Sequence, residues 1–270
     1  MELLKLRGYV KPEEMNGNEE DRLQAAIDLA VKEDIRKVVL GGTYRVASPV
    51  KLPSGIEIVL KDGAKVIAEN GPAFITEVAC EPGKNTWSFE NARIYLKGEG
   101  NAEIAGGLTF YHAKYVVLEN LTVTGTIFYE FAREIRMEYD TINGSVVLGR
   151  GCNNFIMQYL TVNGKENAFV IDTKIECGEY VIGKDAEIHE IILRDVTANG
   201  EYAVRIDAAE KLGVFNCQID HIQTNGAGVV IGDGKGLPKE RFFNLTVTDV
   251  TGENAKVDRR NETKHCYFGE

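Results

Sequence analysis

The chain has 270 residues, of which 44% are hydrophobic, and its formal net charge at pH 7 is −10. This length and composition allow a substantial core in one domain, and the negative charge disfavours nucleic acid and anionic membranes as partners. No apolar run reaches the length of a membrane span or of a signal peptide. We therefore predict either a cytoplasmic protein or a secreted chain whose leader has been removed.

The first predicted element is a short amphipathic helix over residues 18–32. Asn18 can cap it, and the acidic residues 19–21 suit the positive end of a helix dipole. One face of the helix collects the apolar residues Leu23, Ala26, Ile27, Ala30 and Val31. We expect the helix to cover the open end of a stack of strands, where backbone groups would otherwise lack partners.

A repeated unit dominates the second half of the chain. Each copy is an Asn-Gly pair followed by a small residue and an alternating apolar segment. Because Asn and Gly tolerate positive φ, we interpret each pair as a turn that leads into a strand. The four units predict a solenoid of strands whose coils bury one another's apolar faces. The predicted strands are Ser145–Leu148, Ala168–Ile171, Ala203–Ile206 and Gly228–Ile231.

Three segments near the N-terminus follow one another in a characteristic order: Gln24–Ala30 (QAAIDLA), Val39–Tyr44 (VLGGTY) and Leu52–Ile58 (LPSGIEI). They resemble the opening of the pectin-lyase-like right-handed β-helix superfamily, except that Gly41 stands where proline is usual. Two later segments, Asn91–Gly106 and Leu108–Val123, are similar to coils of the polygalacturonase-type enzymes of glycoside hydrolase family 28.

The resemblance implies an all-β, single-stranded, right-handed parallel β-helix with an N-terminal capping helix. It implies one domain, with β-helix coils over residues 37–252 and a C-terminal tail or cap over residues 253–270. Residues 173–187 lengthen one coil, and we expect them to overhang a face and to contribute specificity.

Aligned coils place acidic residues above one another. Glu166 and Glu201 lie two residues before Ala168 and Ala203, so they hold the same place in consecutive coils. Parallel neighbours are about 4.8 Å apart, and carboxyl groups this close perturb each other's ionisation. We predict that these two residues form an acid/base pair.

Other polar residues share positions in the same two coils. Glycoside hydrolysis needs one protonated and one ionised carboxyl roughly 5 to 9.5 Å apart, and stacked coils provide such separations. We predict Asp172 and Asp207 as further catalytic candidates. Two structural interpretations remain as alternatives to these roles. Arg205 could form an ion pair with either aspartate, and the acidic residues could be ordinary solvated groups at strand ends. The predicted substrate-binding residues are Lys165, Asn167, Tyr202, Arg205 and His112.

The chain departs from the polygalacturonase motifs. The N-T-D segment falls near Ile142–Gly144, where no acid is present, and the D-D pair falls on Glu166 and Asn167. Tyr202 replaces the histidine of G-H-G, and no cation remains in the segment that matches R-I-K, Val229–Gly232. The resemblance therefore implies the scaffold but neither the family's full set of acids nor its clamp for a sugar carboxylate.

We predict a carbohydrate-active enzyme that cleaves glycosidic bonds of a polysaccharide or oligosaccharide that contains uronic acid or is of plant type. His189, His221 and His265 show no ligand spacing, so the sequence predicts no metal site and no cofactor. A non-catalytic glycan-binding or structural β-helix is the first alternative, and a polysaccharide lyase or epimerase is the second. The protein would be a monomer or a homo-oligomer, and a trimer if it resembles a phage tail spike.

Overall fold

The computed structural model describes residues 6–17, 19–76, 91–175 and 186–269. Short strands separated by corners wind the described residues from 37 to 268 into a right-handed parallel β-helix, as predicted. The α-helix α1 (Glu19–Lys32) precedes the strands, and short 3-10 helices cover Pro12–Glu14 and Lys239–Arg241. The strands are β1 (Lys37–Leu40), β2 (Thr43–Val46), β3 (Val50–Lys51), β4 (Glu57–Leu60), β5 (Lys65–Ile75), β6 (Asn91–Gly98), β7 (Glu103–Tyr111), β8 (Ala113–Glu119), β9 (Thr122–Thr124), β10 (Ile127–Glu130), β11 (Arg133–Glu138), β12 (Thr141–Asn143), β13 (Val146–Leu148), β14 (Asn153–Gln158), β15 (Thr161–Asn163), β16 (Asn167–Asp172), β17 (Ile188–Asn199), β18 (Tyr202–Asp207), β19 (Val214–Gln223), β20 (Ala227–Ile231), β21 (Phe242–Thr251), β22 (Val257–Arg259) and β23 (Tyr267–Phe268).

The strands form three parallel faces, which we call sheets A, B and C in the order in which a coil visits them. Sheet A stacks β1, β4, β6, β8, β11, β14, β17, β19, β21 and β23. Sheet B stacks β2, the first part of β5, the first part of β7, β9, β12, β15 and the ends of β17, β19 and β21. Sheet C stacks β3, the second parts of β5 and β7, β10, β13, β16, β18, β20 and β22.

The four segments predicted after the Asn-Gly pairs are neighbouring strands of sheet C. Val147, Val170, Arg205 and Val230 are successive Cα partners in β13, β16, β18 and β20. The alternation of apolar residues fixed this register, because a shift by one residue would turn the apolar side chains outward.

Inward side chains from the three sheets fill the interior, where most of the apolar residues are buried. Three aromatic rings lie in contact there. Tyr129 stacks on Phe110 with ring centroids 5.1 Å apart, and Phe155 meets Tyr129 edge-on, also at 5.1 Å. Aromatic pairs in these arrangements stabilise a core beyond the apolar area that they bury.

Helix α1 packs its apolar face against the first strands, as predicted. Leu23, Ala26, Ile27 and Ala30 are buried against the first coil. The side-chain oxygen of Gln24 accepts a hydrogen bond of 2.7 Å from the backbone N–H of Lys51. The helix therefore covers this end of the solenoid, where the strands have no preceding coil.

Residues 257–268, which the sequence assigns to a tail or cap, contain the short strands β22 and β23. These strands pair with β20 and β21 and so continue sheets C and A.

The Asn-Gly pairs form a ladder at the corner between sheets B and C. The Nδ2 of Asn163 donates to Oδ1 of Asn143 at 3.0 Å, and Nδ2 of Asn199 donates to Oδ1 of Asn163 at 2.9 Å. The expected positive φ is not found at these asparagines or at Gly144, Gly164 and Gly226. The glycines are required instead because neighbouring backbones approach closely. A Cβ on Gly144 would clash severely with the carbonyl oxygen of Gly125.

Replacing Gly144 with alanine should therefore destabilise the fold by about 1–3 kcal/mol, because the added methyl group overpacks two adjacent coils. Urea unfolding followed by circular dichroism measures this loss. Gly41→Ala is the matched control, since a Cβ there meets nothing within 4 Å and its φ is not in the left-handed region. Equal unfolding free energies for the two variants would contradict this explanation of the Asn-Gly unit.

Positive φ instead marks the corner between sheets A and B. From β8 onward, one non-glycine residue per coil adopts the left-handed conformation there, with φ between 50° and 60°. We call this set the left-handed column, and its members are Asn120, Tyr139, Tyr159, Asp195, His221 and Asp249.

Candidate functional site

Acidic residues meet where the strands of sheet C end and the chain turns towards sheet A. Asp172 ends β16, Asp207 ends β18, and the two are Cα partners in adjacent coils, as the sequence alignment predicted. Asp233 follows β20 in the next coil. We call these three residues with Lys174 and Arg205 the acidic cluster.

Asp207 is a buried, compensated carboxylate. Its side chain is 1% exposed, and the Nζ of Lys174 lies 2.8 Å from Oδ1 while the Nη2 of Arg205 lies 3.3 Å from Oδ2. The backbone N–H of Ala208 donates to Oδ1 at 2.9 Å. Because a buried charge is costly unless it is paired and hydrogen-bonded, these contacts keep Asp207 in place.

Asp172 and Asp233 have opposite tendencies to ionise. Burial raises the pKa of Asp172, the hydrogen bond of 2.8 Å from the backbone N–H of Lys174 opposes this, and the negative charge of Asp207 adds to the increase. The hydrogen bond of 2.9 Å from the Nζ of Lys174 lowers the pKa of Asp233, and the backbone N–H of Lys235 lowers it further. Lys174 thus contacts both Asp172, whose pKa is raised, and Asp233, whose pKa is lowered.

The two predicted glutamates lie at the other end of the same strands. Their backbones stack as predicted, since the N–H of Tyr202 donates to the carbonyl of Glu166 at 2.9 Å and the N–H of Ala227 donates to that of Glu201 at 2.9 Å. Both side chains are exposed. A strand rises about 3.3 Å per residue, so Glu166 and Asp172 are roughly 20 Å apart along sheet C and cannot act on the same bond.

The predicted substrate-binding residues lie along sheet C or near it. Tyr202 is the Cα partner of Asn167, and its Oη accepts a hydrogen bond of 2.8 Å from Arg260. Arg205 points outward, 44% exposed, beside the acidic cluster. The ion pair of Arg205 with Asp207, which the sequence left as an alternative, is present. Lys165 is exposed next to Glu166.

His112 lies inside the protein rather than on its outer surface. Its side chain is 1% exposed, and its ring stacks on Phe131 with centroids 5.2 Å apart. The sequence placed His112 among Phe110, Tyr111 and Tyr115 and predicted a sugar contact. The described geometry gives it a packing contact at the corner between sheets C and A.

Sequence reasoning missed three residues of this surface: Lys174, Asp233 and Arg260. They come from later coils or from the start of the long loop 173–187, of which residues 176–185 lie outside the described part of the chain. Asp233 could have been found by aligning the coils. Ile231 is the Cα partner of Ile206, which precedes Asp207, so Asp233 lies close to the position of Asp207 in the next coil.

Two other features of the described chain bear on binding. A cavity of about 640 Å³ opens on sheet A near the N-terminus, where Tyr9 lies beside alternating lysines and glutamates such as Lys37 and Glu57, which are 3.0 Å apart.

In the ranges that the structure describes, no helix is both long and apolar enough to cross a membrane.

No protein-family model matches the sequence, and a search of curated proteins finds no match. Solved structures do match. A family 28 exopolygalacturonase from Yersinia enterocolitica superposes with a TM-score of 0.60 at 10% identity, covering 97% of this chain and 78% of that one. The AlgE6 A-module of a mannuronan C-5 epimerase from Azotobacter vinelandii gives 0.51 at 12% identity, with 97% and 98% covered. The surface adhesin PfbA of Streptococcus pneumoniae gives 0.50 at 12% identity, with 97% and 100% covered.

These similarities confirm the predicted fold, a right-handed parallel β-helix. Two of the three proteins are described as enzymes and one as an adhesin. The same scaffold therefore serves both catalysis and binding, and function has to be argued from the residues of the site.

Proposed function

We propose that this protein acts on a polysaccharide or oligosaccharide and cleaves a glycosidic bond at the acidic cluster. The observation that carries the proposal is the opposite effect of the surroundings on two carboxyl groups, Asp172 and Asp233, that both accept a hydrogen bond from Lys174. Glycosidases need one protonated and one ionised carboxyl beside the bond that breaks. Pairs of acids whose surroundings push their pKa values apart are candidates for these two roles.

In this mechanism Asp172 donates its proton to the oxygen of the leaving sugar. Asp233, which stays ionised beside Lys174, stabilises positive charge on the sugar ring or activates the attacking water. Asp207 is buried, so its negative charge favours the proton on Asp172 without touching the substrate. Lys174 and Arg205 form ion pairs with Asp207 and hold its side chain in place.

Sheet C supplies the surface along which a chain of sugars would lie. Arg205 belongs to the acidic cluster at one strand end, and Lys165, Glu166 and Glu201 lie at the opposite end. The cations favour an acidic glycan, and two structural neighbours are described as a polygalacturonase and a mannuronan epimerase. We assign the glutamates, with Tyr202 and Asn167, to binding of more distant sugar units.

Asp172→Asn should lower kcat at least 100-fold on the true substrate, because general acid catalysis contributes about 10²–10⁴ in rate. The substrate is found by screening uronic-acid and plant polysaccharides for new reducing ends and for ultraviolet absorbance. Asp34→Asn is the control and should keep full activity, because its side chain is 85% exposed and it lies just before β1, several coils from the acidic cluster. Glu166→Gln and Glu201→Gln should change KM more than kcat. Full turnover by Asp172→Asn would refute the role of Asp172.

The second candidate is a glycan-binding protein without catalysis. Asp207 is completely buried and forms ion pairs, as expected of a carboxylate whose role is structural rather than catalytic. This observation favours the second candidate. Glycan affinity with no product on any substrate would support this candidate. A trimeric mass in solution would favour the tail-spike version of it. Product that absorbs in the ultraviolet would instead identify a lyase.

A further inference from the structure

The left-handed column brings metal-ligating side chains together on the edge between sheets A and B. Arg194, Asp220 and Thr248 are successive Cα partners in β17, β19 and β21. The next residues, Asp195, His221 and Asp249, therefore stack in three consecutive coils, with φ of 53°, 51° and 50°. Because their backbone conformations are alike, the three side chains leave the corner in the same direction.

Asp220 fixes the orientation of the His221 ring. Its Oδ2 lies 2.9 Å from Nδ1 of His221, and its Oδ1 accepts a hydrogen bond of 2.5 Å from the hydroxyl of Thr248. A carboxylate bound to Nδ1–H is the usual partner of a histidine that ligates a metal through Nε2.

The remaining ring nitrogen faces a carboxylate of the next coil. Nε2 of His221 lies 3.8 Å from Oδ2 of Asp249. Zinc binds histidine nitrogen and carboxylate oxygen at about 2.0–2.2 Å, so one ion fits between these two atoms. Ligand atoms of Asp220, His221 and Asp249 all lie within 4.8 Å of one another.

Negative charge at this corner has little compensation. Within the described residues, Asp195, Asp220 and Asp249 form no ion pair with lysine or arginine. Arg194, which precedes Asp195, binds Oε1 of Gln158 through Nε at 2.8 Å. Three carboxylates around one histidine therefore favour a cation.

We propose that this corner binds a divalent transition metal ion, with Zn²⁺ as the reference ion. His221 Nε2 and a carboxylate oxygen of Asp249 are the central ligands, and Asp195 in the preceding coil adds negative charge near them. Asp220 is the outer partner that orients the imidazole. This site is separate from the acidic cluster, which lies between sheets C and A, and it does not depend on the proposed glycan activity.

The test is isothermal titration of Zn²⁺ into the full chain without a histidine tag. We expect one ion per chain, with binding weakened at least tenfold in His221→Ala and in Asp249→Asn. Both residues are largely exposed, at 61% and 56%, so the variants should fold. The matched control is His189→Ala, because His189 is another solvent-accessible histidine, 37% exposed and 3.5 Å from the carboxylate of Glu190, and it lies outside the left-handed column.

A second readout is thermal unfolding with and without Zn²⁺. A bound ion should raise the Tm of the wild type and of His189→Ala, but not that of His221→Ala, because an ion that binds only the folded state stabilises it. Failure of the wild type to bind Zn²⁺ below millimolar concentration would overturn the proposal. Equal zinc affinity in His221→Ala and the wild type would also overturn it.

Discussion

Replacing Phe155 with alanine should lower the free energy of unfolding by about 3–5 kcal/mol, the usual range for a large aromatic residue removed from a core. Phe155 is fully buried and lies edge-on against Tyr129, which itself stacks on Phe110. The truncation leaves a cavity in the centre of the coil and removes one member of the aromatic group. Urea unfolding monitored by circular dichroism measures the effect.

Phe243→Ala is the matched control for this prediction. Phe243 lies on the outside of sheet A and is half-buried, with Phe215 and His265 as its aromatic neighbours. We expect a loss of about 1 kcal/mol there, the scale of one exposed aromatic contact. A similar loss for both variants would mean that the interior aromatic group adds nothing beyond surface packing.

Replacing Asp140 with asparagine should make the fold more stable than the wild type at neutral and alkaline pH. Burial, followed by the charge of Glu119 and then that of Glu138, raises the pKa of Asp140 to about 8, although the backbone N–H groups of Leu121 and Glu138 lower it. The carboxyl is 1% exposed and accepts a hydrogen bond of 2.9 Å from Leu121. Asparagine retains that acceptor and has no charge to bury.

The sign of the pH dependence follows from the raised pKa. Below pH 4 the carboxyl is protonated in both the folded and unfolded states, and its contribution to stability is fully present. Between about pH 4 and pH 8 the unfolded chain ionises while the folded one keeps its proton, so this contribution is lost as the pH rises. One group can change the difference between wild type and Asp140→Asn by at most about 1.4 kcal/mol per pH unit.

Unfolding free energies of wild type and Asp140→Asn at several pH values between 4 and 9 measure this change. Asp28→Asn is the control, because Asp28 is exposed on α1 and its variant should follow the wild type at every pH. Parallel curves for wild type and Asp140→Asn would show that Asp140 is ionised in the fold.

The fold could be predicted from the sequence because its determinants are local. Each coil repeats the alternation of apolar residues, and the Asn-Gly pairs mark one corner, so strands such as β16 and β18 were placed in the correct register. The backbone stacking of Glu166 on Glu201 and of Asp172 on Asp207 followed from the same alignment.

The contacts of the site could not be predicted in the same way. The two glutamates have the predicted register, yet their side chains are exposed. Asp207 is buried and pairs with Lys174, which comes from the preceding coil, two residues after β16. Likewise, His221 meets Asp249 from another coil, so ligand spacing along the chain could not reveal the pair. Aligning Ile219 with Val247 and Ile222 with Val250 would have placed His221 and Asp249 at equivalent positions. The contact between their side chains, however, depends on side-chain geometry that the alignment does not give.

The corners of the solenoid differ in their tolerance of inserted residues, and this has a consequence for protein engineering. From β8 onward, the corner between sheets A and B keeps the same short form in each coil, with one left-handed residue. One added residue there would exchange the inner and outer sides of the following strand. In the described coils, the corner between sheets C and A varies from the single residue 112 to residues 232–241. Foreign peptides or new recognition loops should therefore be grafted at this variable corner, which is also where the acidic cluster begins.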